Sequence, residues 1–292
     1  MFFINLPFAL AGRAVPVTPR RPLAVDLPGQ LLAVAALALL TAALVQAGRA
    51  GWLSPLVLAG LAAALAAAGA FILTEHRSPD PMLPLELFAR PSFRSGTLVG
   101  FLINLGFYGQ LFVMSLYFQD VRGYSALRTG LALLPQAALL IVASTLSGRI
   151  MARTGPRTPM LAGLLIGGAG LLGIAAAATS APYVILAVTF GAAGFGMALT
   201  MPAATAAVME AAPPDRGGIA SGVVNAARQA GGVLGVALLG TLVSARAGFA
   251  GGLHLGIALA AVAFFAGAAV TVTGMSRLGQ EAANTPSPPD QE

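Results

Sequence analysis

Apolar runs of membrane-crossing length alternate along this chain with short polar breaks. A helix rising 1.5 Å per residue needs about 20 mostly apolar residues to cross roughly 30 Å of hydrocarbon. Eight segments meet that requirement: 27–47, 52–74, 95–118, 129–148, 158–178, 182–209, 218–245 and 250–274. A ninth apolar piece, 1–10, is too short to span and is closed by Gly12 and Arg13, with Arg20, Arg21, Pro16, Pro19 and Pro22 behind it. No basic residue precedes it, as a signal peptide requires, so it reads as the remaining end of a longer helix. The pattern predicts an all-α integral membrane protein.

The polar breaks suggest an order of parts. Residues 1–17 form the partial helix, 18–94 a two-helix linker region, 95–275 a six-helix bundle, and 276–292 a Pro-rich acidic tail expected to be disordered. The longest polar connection, 75–94, carries Pro79, Pro81, Pro84 and Pro91 around an apolar stretch from Leu83 to Phe88. Leu83, Leu85, Leu87 and Phe88 are expected to rest on the membrane surface while Glu86 and Arg90 face water.

Composition agrees: 57% of the 292 residues are hydrophobic, 9% are charged, and mean hydropathy is +0.85. The net charge of +6 comes from arginines in short loops, which fits membrane orientation and not nucleic-acid binding. Arg13, Arg20, Arg21, Arg77, Arg90, Arg94, Arg149, Arg153, Arg157, Arg216 and Arg277 fall on one side of the spans, and Arg49, Arg122, Arg128 and Arg246 on the other. The richer side, and with it the carboxyl terminus, is expected in the cytoplasm. With no cysteine and only His76 and His254, far apart, neither a thiol nucleophile nor a metal site is expected. There is no lysine and hence no phosphate-binding P-loop, no G-x-S-x-G elbow, and no pair of carboxylates inside a span. An enzyme is not expected.

Arg228 lies ten residues into the seventh span, roughly 15 Å deep. A charge at that depth needs a protein partner or a hydrated cavity. Asn225 and Gln229 share its broad helix face. Both a helix-bracing role and contact with substrate or a carboxylate fit. In the third span, Asn104 and Tyr108 share a face, as substrate contacts or as packing. Asp120 with Arg122 and Arg128 is expected as an exposed surface pairing, and His254 as a hydrogen-bonded core residue. The pairs Gly163/Gly167 and Gly231/Gly235 read as sites of close helix approach.

Three strings then carry a resemblance: Phe2-Phe3-Ile4-Asn5-Leu6-Pro7; the run from Tyr117 through Phe118, Gln119, Asp120, Val121, Arg122, Gly123 and Tyr124 to Ala126; and Gly218-Ile219-Ala220-Ser221-Gly222 continuing through Asn225, Ala227, Arg228, Gln229 and Gly232. Together they resemble the fourteen-helix drug:proton antiporters of the major facilitator superfamily. In that family two six-helix bundles, joined by two extra helices, enclose a cavity that opens alternately to either side. The resemblance implies that 1–10 is the end of the sixth helix, the first two full spans are the extra pair, and the last six are the second bundle, the C-terminal half of the fold. The first five helices, with the family's proton-carrying acids, would then be missing, and the chain alone is not expected to transport. Gly148, Arg149, Arg153, Gly155, Pro156 and Arg157 look like the family's cytoplasmic loop motif, with Ala152 where an acid is usual.

The resemblance implies proton-coupled efflux of drugs or small molecules across a bacterial inner membrane, without a cofactor and powered by the proton gradient. The implied partners are lipid, a small-molecule substrate, the proton and the first bundle. Cavity faces are expected on the third, fourth, sixth and seventh spans, through Arg228, Asn225, Gln229, Asn104 and Tyr108. Export of one metabolite or siderophore, and a non-transporting helical interaction protein, remain open alternatives.

Overall fold

Among the described residues eight long helices form over the eight apolar runs, two of them continuing through an internal proline, Pro135 and Pro202, whose freed backbone groups a helical bundle can accommodate. The structure is a computed structural model and describes residues 26–78, 83, 85–177, 181–213, 216–244 and 249–275. The expectations for 1–17, for the start of the linker region and for the 276–292 tail lie outside the described residues. The helices are α1 Leu27–Ala50, α2 Pro55–Arg77, α3 Pro91–Leu116, α4 Ala126–Thr154, α5 Arg157–Ala177, α6 Tyr183–Ala211, α7 Gly217–Ser244 and α8 Phe249–Met275. All eight are long and apolar enough to cross a membrane.

Within the bundle, α3 packs against α7, α8 and α6, while α6 also holds α4 and α5. Close approach depends on glycine. A Cβ at Gly231 or Gly235 would run into the Phe101 or Leu105 carbonyl of α3, and one at Gly196 would strike the α5 backbone at Gly163 and Gly167. Both small-residue pairs therefore act as contact points, where dispersion and not hydrophobic transfer holds helices in lipid. Polar side chains add ties. Ser147 donates to the Leu199 carbonyl at 2.7 Å and Thr200 to that of Met160 at 3.3 Å. His254 Nδ1 meets the Ala175 carbonyl, the core-type role expected of it. Helices α1 and α2 pack on each other, and α1 leans on α7, where Thr241 Oγ1 donates to the Leu44 carbonyl at 2.7 Å.

Three expectations are corrected. Residues Gly148, Arg149 and Arg153 do not lie in a loop: nothing halts α4 before Thr154, so the turn shrinks to Gly155, at φ 73°, and Pro156. Leu87 does not rest on the membrane surface. The 3-10 turn Leu85–Ala89 folds against the bundle, burying Leu87 with Phe93, Val208, Ala220 and Val224. Arg90 there donates to the Ala211 carbonyl at 2.6 Å, and Glu86 meets Arg216 at 3.5 Å.

The third correction concerns Asp120. It stays exposed and unpaired with either arginine among the described residues, because both arginines bind aromatic rings. The α3 helix widens into a π turn, Tyr117–Val121, and Gly123, at φ 64°, reverses the chain so that Tyr124 N donates to the Phe118 carbonyl at 2.8 Å. Arg122 Nε donates to Tyr117 Oη at 2.8 Å, Arg128 lies 4.1 Å over the Tyr124 ring, and Tyr124 stacks on Phe118. The string from Tyr117 to Ala126 is thus an aromatic and cationic seal at the arginine-poor end.

Candidate functional site

The candidate residues stand on α3 and α7, which the glycines Gly231 and Gly235 bring into backbone contact. An apolar-walled cavity of ≈ 380 Å³ opens beside that contact, lined by Tyr108 of α3, Gln229, Gly232, Val233, Val236 and Ala237 of α7, and Thr41 and Val45 of α1. Tyr108 is 43% exposed, with its ring edge-on to Phe107 and its flank over Gly232. Of the residues expected from sequence, the structure brings Tyr108 and Gln229 into one cavity. Helix α1 forms one of its walls, which no pattern along the chain suggested.

Arg228 sits half-buried where its stem passes Gly100; a Cβ there would lie 3.4 Å from Arg228 Cγ. Its Nε is buried and finds no hydrogen-bond partner among the described residues. No described carboxylate pairs with it. A guanidinium with an orphaned buried N–H is poised to take an acceptor from outside this set of helices, at the cost of about 1–3 kcal/mol that an unmade buried hydrogen bond carries. Asn225 is exposed, one turn toward the arginine-rich end. Asn104 is placed otherwise: it is buried, and its Nδ2 donates to the Gly100 carbonyl at 2.6 Å, one turn back along its own helix. It is satisfied locally and lines neither cavity.

A second polar feature was not foreseen. Gln136 Nε2 of α4 donates to Gln110 Oε1 of α3 at 3.0 Å, with both side chains at most 2% exposed. The pair leaves Gln110 Nε2 and Gln136 Oε1 buried without partners. Turning both amides over leaves the same inventory, one orphaned nitrogen and one orphaned oxygen. Gln136 also stands at the edge of a ≈ 180 Å³ groove between α3 and α4, lined by Phe107, Leu111, Leu133, Leu134 and Leu140. An apolar groove with one amide pair suits an apolar ligand carrying a single hydrogen-bonding group. The 26-residue separation obeys no helical spacing, so no local pattern could pair them.

Charge elsewhere is confined to the ends. Glu75, read from sequence as part of a polar connection, is buried at the end of α2. Among the described residues no group of three or more His, Asp or Glu side chains could hold a metal ion.

Comparison with known proteins bears on this geometry. The family description of the Major Facilitator Superfamily matches residues 2–236. The methylenomycin A resistance protein of Streptomyces coelicolor is 37% identical over 248 residues, 83% of this chain and 52% of that protein. The tetracenomycin C resistance and export protein of Streptomyces glaucescens is 33% identical over 255 residues, 85% of this chain and 47% of that protein. The drug efflux pump JefA of Mycobacterium tuberculosis is 38% identical over 267 residues, 86% of this chain and 50% of that protein. The chain spans about half the length of the curated relatives it matches.

Proposed function

The chain belongs to the Major Facilitator Superfamily, a family of transporters and not of enzymes, and from that membership we propose that its described helices are the linker pair and second bundle of a fourteen-helix drug:proton antiporter. The activity is export of apolar, drug-sized molecules by alternating access, in a bacterial inner membrane with the arginine-rich end and the carboxyl terminus in the cytoplasm. The observation that carries this reading is that relatives matched over 83% to 86% of the chain are named for antibiotic resistance, export or drug efflux.

The cavities support it. Ligand sites are mostly apolar clefts of about 300–1,000 Å³ with a few placed polar groups, and the ≈ 380 Å³ cavity with Tyr108 and Gln229 fits that description. Tyr108 supplies an aromatic face, Gln229 and Asn225 supply exposed amides, and Arg228 supplies a charge for an anionic or carbonyl group of the substrate or for a carboxylate of the facing bundle. Energy comes from the proton gradient, and the bundle that faces α3, α4, α6 and α7 completes the transport path.

Transport assays on inside-out vesicles from a drug-hypersensitive bacterium test this reading. A fluorescent apolar cation should accumulate in vesicles bearing the transporter and leak out when the proton gradient is collapsed. Accumulation that is indifferent to the gradient would remove proton coupling, and none at all from the protein joined to a facing bundle would remove export.

A further inference from the structure

Between α3 and α4 two hydrogen-bonding atoms inside the bundle have nothing to bond. Gln136 Nε2 donates to Gln110 Oε1 at 3.0 Å, while Gln110 Nε2 and Gln136 Oε1 stay buried without a partner among the described residues. Gln110 is 0% exposed and Gln136 2%. An amide pair joined by one bond has one N–H group and one carbonyl oxygen left over, whichever way the two amides are turned. Leaving both unmade in an apolar interior is costly. A third group that donates and accepts at once would relieve that cost.

The pair is fixed from behind on both sides. On α4, a Cβ at Gly194 of α6 would strike the Gln136 carbonyl and lie 2.9 Å from Gln136 Cγ. On α3, two glycines close to Gln110 seat the helix elsewhere: a Cβ at Gly106 would lie 2.9 Å from the Ala260 carbonyl oxygen of α8, and one at Gly109 2.8 Å from that of Gly235 in α7. Each helix thus rests on other helices, and those contacts hold open the ≈ 180 Å³ groove between them. Gln136 lines that groove with Phe107, Leu111 and Leu140. Its last side-chain torsion is broad and soft, as for any glutamine. A turn about it is the movement that offers the free oxygen to a molecule in the groove.

The chemistry of such a molecule follows from the lining. Apart from Gln136 the groove is apolar, so an ion entering it would lose its hydration without compensation. The two free atoms do not reach each other. A group with donor and acceptor on separate atoms, the N–H and C=O of one amide, therefore spans them more readily than a single hydroxyl does. An apolar cavity of about 150 Å³ holds a benzene ring, so this groove takes a small ring system.

The geometry points to a binding site for an uncharged ring compound carrying a cis amide, a lactam or imide, whose N–H donates to Gln136 Oε1 and whose carbonyl accepts from Gln110 Nε2. The site is separate from the Tyr108 cavity. It does not rest on the export reading, because its occupancy is measured without transport.

Equilibrium dialysis of carbostyril, a two-ring lactam, against the full chain in lipid nanodiscs, with uptake by empty nanodiscs subtracted, tests the site. N-methylcarbostyril keeps the rings and the carbonyl but lacks the donor. The parent should bind carbostyril saturably and the methylated compound about tenfold more weakly, the factor for one buried hydrogen bond left unmade. The double variant Gln110→Leu with Gln136→Leu, which strands neither partner, should lose that preference. Ala137→Leu, which fills the groove from an exposed position on α4, should bind neither compound. No saturable binding by the parent, a preference that survives the double variant, or unchanged binding in Ala137→Leu each overturns the site. Equal affinities of the parent for the two compounds overturn it as well, and leave the pair as a tie between α3 and α4.

Discussion

Arg228 shows how one side chain can be legible in part. A lone arginine inside an apolar span is visible to any reading of hydropathy, and its depth implies a partner or a cavity. Its actual position, stem against Gly100 and Nε without a partner, depends on α3 lying within backbone contact of α7. Arg228→Ala is expected to leave membrane insertion intact and lower efflux several-fold, read by transport in vesicles of matched protein content. Parental efflux would remove it from the substrate path. Asn104 misleads because an amide four residues from a carbonyl on its own helix needs nothing else, and sequence spacing cannot say which choice it makes. The Gln110–Gln136 pair is illegible for the opposite reason, since it depends wholly on how two helices pack. Here truncating one partner strands the other at a cost of about 1–3 kcal/mol, whereas removing both is nearly neutral. Gln136→Leu should therefore lower thermal stability in nanodiscs more than Gln110→Leu with Gln136→Leu does, and a double variant equal to the sum of the singles would show that the pair is not coupled.

At the scale of elements, the hydrophobic pattern located the eight described spans because a span must be apolar over its whole length, whatever it packs against. The ends were less legible. Arg149 and Arg153 look like loop residues, yet arginine is a good helix former and neither glycine nor proline stands between Arg149 and Thr154, so α4 continues past the apolar stretch. The π turn Tyr117–Val121 has no signal of its own, although the tyrosines, Arg122 and Gly123 that fix it stand out in the string. Helix contacts were legible only as spacing. Gly231 and Gly235 suggested close approach, and the structure supplies the partner, the carbonyls of Phe101 and Leu105. A methyl at Gly235 has rigid backbone before it, so α3 and α7 must move apart. Gly235→Ala is expected to cost about 1–3 kcal/mol, the usual range for overpacking, and to distort the Tyr108 cavity. Gly69→Ala, in open space on α2, is the control that should change nothing. Equal melting temperatures for the two variants would mean that the α3–α7 contact is looser than drawn.

For the whole molecule, the arrangement of α1 and α2 against the other six helices is a packing outcome. Periodicity predicts eight spans, but it does not say that α1 leans on α7 through Thr241 and Leu44, or that the same helix closes one wall of the cavity. Orientation, by contrast, is predicted by the arginines near the span ends. Arg149, Arg153, Arg157 and Arg216 gather at the end where α4 meets α5 and α6 meets α7, while Arg122 and Arg128 are taken up by the aromatic seal at the other. Basic residues near span ends are retained on the cytoplasmic side during insertion, so the first end is expected inside. Thr154 and Gln119 are exposed at opposite ends of the bundle and make a clean pair of reporters in a chain without cysteine. In intact cells a membrane-impermeant thiol reagent should label Gln119→Cys and spare Thr154→Cys, with both labelled after permeabilisation. The reverse pattern would invert the molecule, placing the Leu85–Ala89 turn outside the cell.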